Sequence, residues 1–125
     1  MNWLQRLIGR GPAPLTGAPA IRRQKTYSAQ SGYVYQYFYE GYRPAGDATE
    51  YVFNVSADRK SSFPVSVLIP RELGRELGST ERYAIAKMAL FAAFDEREAP
   101  EQMRQPVNVE AAAVTEILGR LGLEG

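Results

Sequence analysis

Four tyrosines, Tyr33, Tyr35, Tyr37 and Tyr39, recur at every second position in one stretch of this 125-residue chain. At that spacing a β-strand puts all four rings on one face. Exposed, the rings form a platform on which nucleic-acid bases stack, each base contributing about 1–3 kcal/mol. Arg43, Arg59 and Lys60 stand nearby in sequence as phosphate contacts. Turned inward, the same rings are core. The alternate face carries Val34, Gln36, Phe38 and Glu40. A buried Gln and Glu cost more than tyrosines whose hydroxyls reach an edge. Burial therefore favours the tyrosines as core, and the platform is the alternative.

The residue types that most often run catalysis are missing. The chain has no His and no Cys, which removes imidazole bases, thiolate nucleophiles, disulfides and most zinc or iron sites together. Asp95, Glu96, Glu98 and Glu101 cluster in sequence, and the expectation for such a cluster beside a helix end is solvated surface. It lacks the spacing of an EF-hand loop. Gly74 and Gly78 bracket a turn with no following Lys-Ser/Thr, so no phosphate loop is expected. The expectation is a protein that is not an enzyme, with no metal, no cofactor and no small-molecule substrate.

Charge is unevenly placed. Residues 1–60 hold eight Lys/Arg against four Asp/Glu, while residues 61–125 hold seven against ten. No acid precedes Glu40, whereas Arg6, Arg10, Arg22, Arg23 and Lys25 all do. A basic arm on a near-neutral body suits phosphate, anionic lipid or an acidic protein face. Within residues 1–10, Trp3, Leu4, Leu7 and Ile8 share one side of a short amphipathic helix. Two turns are not stable alone in water, so the segment must dock on its own domain, a partner or a membrane surface. It does not read as a signal peptide, because Gln5 and Arg6 interrupt the apolar run. Residues 11–25 read as a Pro/Gly/Ala-rich and then basic linker.

The elements that must position these residues follow. The expected strands are Tyr33 to Tyr42, Glu50 to Ala57 and Phe63 to Ile69. Arg43–Asp47 and Asp58–Ser62 read as the connecting turns. Tyr51, Phe53 and Val55 share a face, as do Phe63, Val65 and Val67. Pairing these faces sets Val55 opposite Val65 and Phe53 opposite Val67. A short helix is expected from Arg71 to Leu77, then a long one from about Glu81 to Arg97 capped by Ser79 or Thr80. Eleven of the twelve residues from Tyr83 to Phe94 are apolar, so that helix must be covered on more than one side. Its alanine side is expected against the sheet. Tyr83, Leu90, Phe91 and Phe94 are then left for a last helix, Val109 to Leu121 with Asn108 as cap, or else for a second copy or a partner.

The predicted fold class is α+β: a three-stranded antiparallel β-meander packed on helices in two layers, in (α)-β-β-β-α-α order. The core domain is expected over residues 26–97, with a polar break and a carboxy-terminal helix over 98–125. The β-β-β-α order with an alanine-rich closing helix (Ala84, Ala86, Ala89, Ala92, Ala93) resembles the double-stranded-RNA-binding domain over residues 33 to 94. That family places lysines at the start of the closing helix to grip phosphates. Here the corresponding positions read Ser79-Thr80-Glu81-Arg82-Tyr83, with Arg82 the only cation.

The leading functional expectation is a small cytoplasmic binding or adaptor module working through protein contacts or self-association. Trp3, Leu4, Leu7 and Ile8 are its anchors, laid in a partner groove. The alternative is nucleic-acid binding through Arg22, Arg23, Lys25, Arg43, Arg59, Lys60, Tyr35 and Tyr37. The third is attachment to a membrane surface through the first helix. The longest strongly apolar run, Ala84 to Phe94, is too short to cross a bilayer.

Overall fold

The structure, a computed structural model, describes residues 13–73 and 76–122. Trp3, Leu4, Leu7 and Ile8 lie outside the described residues. The chain is α+β, with a mixed five-stranded sheet and, among the described residues, two α-helices. Strands β1 (Lys25–Ser28), β2 (Val34–Ala45), β3 (Ala48–Ser56) and β4 (Phe63–Pro70) lie antiparallel in chain order. Helix α1 (Ser79–Glu96) follows, then a 3-10 turn (Pro100–Arg104). The chain ends with β5 (Val107–Asn108), parallel to β4, and helix α2 (Ala111–Leu121).

The expected meander is present as β2, β3 and β4, and it gains a strand on each edge. β1 grows out of the basic segment, pairing Tyr27 with Tyr35 and Lys25 with Tyr37. Upstream of it Thr16 exchanges two 2.8 Å backbone hydrogen bonds with Tyr42, so this part of the expected linker lies along the sheet. β5 comes from the expected polar break. The Arg97 guanidinium donates to the carbonyls of Gln102 (2.7 Å), Gln105 (2.8 Å) and Pro106 (3.0 Å). That folds residues 98–106 back and sets Val107 beside Val67. A parallel neighbour needs a long crossover, which α1 supplies.

Several boundaries and pairings differ from the expectation. Arg43, Pro44 and Ala45 are strand residues, and the β2–β3 turn shrinks to Gly46-Asp47. Pro44 is tolerated because its missing N–H points the same way as that of Tyr42, off the β3 side. Across β3 and β4 the apolar faces meet as expected. The register is two residues away from the one expected, with Phe53 opposite Val65 and Val55 opposite Phe63. The longer β3–β4 loop absorbs the shift. Asp58 Oδ1 accepts from the N–H groups of Lys60 (2.8 Å) and Ser61 (2.9 Å), while Arg59 turns left-handed at φ 64°. No helix forms over the described part of the stretch from Arg71 to Leu77. α1 is capped at Gly78, whose N–H donates to the Glu81 carboxylate at 2.7 Å. α2 begins at Ala111 with Glu110 as its cap, because Asn108 is used in β5.

The packing of α1 reverses part of the expectation. Its aromatic side, with Phe91 and Phe94, lies against the tyrosines of β1 and β2. Ile85, Ala86, Ala89, Leu90 and Ala93 are also buried, whereas Ala92 is exposed. α2 lies along the alanine side, with Val114 and Leu118 fully covered. Small residues let α2 approach closely, and the sheet's tyrosines match the large rings. The carboxy-terminal end of α1 is pinned by Asp95, expected on solvated surface. It accepts from the Tyr27 hydroxyl (2.8 Å) and the Gln30 N–H (2.9 Å), tying the β1–β2 hairpin to the helix. None of the described helices is long and apolar enough to cross a membrane.

Candidate functional site

The tyrosines of β2 do two different jobs along one strand. Tyr35 stacks on Phe94 at 4.1 Å between ring centres and is fully buried. Tyr37 meets the edge of Phe91 at 5.6 Å and is 6% exposed. Tyr33 stays outside at the strand's start, 40% exposed. Further along, a bulge gives β2 one extra residue at Glu40, between the pairs Tyr39–Phe53 and Gly41–Val52. A bulge shifts the side-chain phase by one, so Tyr42 joins the same face as Tyr39, opposite Tyr51. Gly41 makes the bulge fit: its φ is +128°, and a Cβ there would stand 2.6 Å from the Thr16 carbonyl oxygen.

At this end the helix runs out. α1 starts at Ser79, and its first ring, Tyr83, packs on Tyr39 at 4.6 Å. Tyr42 and Tyr51 lie beyond it, 5.6 Å apart. The uncovered space is a cavity of about 520 Å³ walled by Tyr39, Tyr42, Tyr51 and Tyr83, with Thr49, Ser79, Thr80 and Arg82. Tyr39 and Tyr83 also wall a second cavity of about 370 Å³, completed by Pro19, Ile21, Arg23, Lys25 and Tyr37. The two adjoin across this shared pair of rings and make up a tyrosine-lined groove. Among the described residues three cations line it and no carboxylate does.

Burial raises three of the groove's phenols. Burial, with the neighbouring hydroxyls of Tyr51, Tyr83 and Tyr42, raises the Tyr39 phenol far above its ordinary value. Burial also raises Tyr51, against the opposing pull of Arg82, and raises Tyr83. All three are therefore O–H donors at neutral pH. Neither Tyr39, Tyr51 nor Tyr83 has a hydrogen-bond partner for its hydroxyl among the described residues.

The residues expected at a nucleic-acid surface are dispersed. Arg22 is on the opposite sheet face, 2.8 Å from Glu40 and over the Phe38 ring. Arg43 is there too, bound at 2.8 Å to Glu50, which also accepts from Ser66. The Arg43 guanidinium holds the Glu50 carboxyl below its usual range. Arg59 and Lys60 are exposed on the β3–β4 loop, at the far end of β3 from Tyr51. Tyr35 is sealed in the core, with no face open to a base. Only Arg23, Lys25 and Tyr37 come together, in the groove. Sequence reasoning missed Tyr42, Tyr51 and Arg82 as site residues. The available signal was Gly41, since an isolated glycine inside a strand marks a bulge. Among the described residues no group of three or more carboxylates is placed to hold a metal ion.

Comparison with family models, with curated proteins and with solved structures returns no match. The chemistry of the site rests on its own geometry.

Proposed function

We propose that this chain is a small binding module that acts through contact with another protein rather than by catalysis. One observation carries the reading: a groove walled by five tyrosines, with Arg23, Lys25 and Arg82 lining it and no carboxylate among the described residues. Tyrosine and arginine are the side chains that recur at protein interfaces, because they offer large contact area with a polar tip. The positive lining calls for an acidic partner segment. The absence of His and Cys from the sequence points the same way, away from common catalytic chemistry. Trp3, Leu4, Leu7 and Ile8 are proposed as a second contact on the same partner.

Peptide arrays graded from basic to acidic test this directly. Acidic extended peptides are expected to bind, and Arg23→Glu with Lys25→Glu is expected to abolish that binding while the melting temperature holds. Equal binding of acidic and basic peptides would sink the reading. A nucleic-acid role keeps some support from the exposed Arg59 and Lys60. Oligonucleotide anisotropy that falls steeply with salt, and weakens in Arg59→Ala with Lys60→Ala, would favour it instead.

A further inference from the structure

We propose that the larger cavity, at the amino-terminal end of α1, binds the phosphate monoester of an aromatic or other planar group. This deepens the groove reading above by naming what its end accepts. Three independent features meet there. The backbone N–H groups of Ser79, Thr80 and Glu81 open the helix with no carbonyl to bond, and no side chain caps them. The helix dipole adds partial positive charge at the same point. Glu81 spends its carboxylate on the Gly78 N–H and does not line the cavity.

The second feature is Tyr51. It is 97% buried, being 3% exposed, lines the cavity, and its hydroxyl bonds none of the described residues. That hydroxyl is available as a donor to a bound acceptor oxygen. The third is Arg82, which lines the cavity while its guanidinium gives one N–H to the Arg71 carbonyl at 3.1 Å. Its other donors bond none of the described residues.

Donor number selects the anion. A carboxylate offers two oxygens, and a phosphate monoester three terminal ones. Arg82, the helix N–H groups and the phenols of Tyr39, Tyr51 and Tyr83 together outnumber what a carboxylate can accept. The rings of Tyr39, Tyr42 and Tyr83 line the same cavity and offer aromatic surface against which a planar group attached to the phosphate would lie.

The test uses the full chain with its tyrosine rings labelled for NMR and phenyl phosphate as probe. Saturable shifts of Tyr51 and Tyr83 are expected, reversed by inorganic phosphate, with phenylacetate binding more weakly. Arg82→Gln should weaken phenyl phosphate by about tenfold or more. Tyr51→Phe should weaken it by several-fold without lowering the melting temperature, since only an unpaired hydroxyl is removed. Absence of saturable shifts, unchanged affinity in both variants, or equal affinity for phenylacetate would each overturn the phosphate site. If phenyl phosphate fails while acidic peptides still bind in the groove, the site falls and the binding-module reading stands.

Discussion

The two ends of the tyrosine-bearing strand are built from the same residue type and arrive at opposite outcomes. At the start of β2, Tyr35 is closed against Phe94, while Tyr37, on the edge of Phe91, already borders the smaller cavity. At its far end Tyr39, Tyr42 and Tyr51 face a cavity, with Tyr83 as the last helical ring above them. The rings themselves do not differ. What differs is whether α1 extends over them, and at Gly78 it stops. A tyrosine under the helix contributes buried area and stacking. A tyrosine past its end contributes a wall and a free hydroxyl.

Removing a ring at each end tests the contrast most strongly. Phe94→Ala should cost about 3–5 kcal/mol in urea unfolding, because a fully enclosed ring leaves a cavity. Tyr83→Ala should cost about 1–2 kcal/mol, since that side chain is only part-buried. Equal losses would erase the distinction between closed and open ends. Gly41→Ala attacks the bulge that brings Tyr42 to the open face. Strain at φ +128° and the clash with Thr16 predict a loss of about 2 kcal/mol and a displaced Tyr42 ring signal.

A smaller effect separates the phenols of Tyr35 and Tyr51. The Tyr35 hydroxyl is buried with no partner among the described residues, so Tyr35→Phe should stabilise the fold by about 1 kcal/mol. It should leave groove binding untouched, whereas Tyr51→Phe should reduce binding. The smallest effect belongs to the β3–β4 loop. The N–H groups of Ser61 and Lys60 hold the Asp58 carboxyl down to about 2, below its ordinary 3.8. Because the folded value is depressed, the turn's contribution is complete above pH 3.8 and is lost as pH falls through about 2. Amide exchange at Lys60 and Ser61 should quicken over that window while the amides under α1 stay protected.

Much of the fold was legible from period and punctuation. Alternating apolar residues in β3 and β4 announced both strands and their buried faces, since a half-buried strand must repeat every two residues. β1 and β5 were not legible. Lys25–Ser28 is polar and Val107–Asn108 is two residues long; each is a strand because a neighbouring edge offers unpaired backbone groups. The site was less legible still. Arg82 reads in sequence as a lone surface cation, and Tyr51 as one more apolar position. Neither residue signals a cavity until the register sets Tyr51 beside Tyr42 and the end of α1 sets Arg82 above them.

Composition and spacing by themselves determined an α+β chain without imidazole or thiol chemistry. They also determined which face of the meander is apolar, because those properties depend on residue type and local period. Tertiary structure alone decided which side of α1 meets the sheet, where Asp95 and Arg97 spend their hydrogen bonds, and which tyrosines stay open. The physical reason is that a helix apolar on nearly every side over its central turns has no single face that sequence can pick out. Its orientation is settled by fit, large rings against tyrosines and small alanines against α2, and the point where that fit ends is where the groove begins.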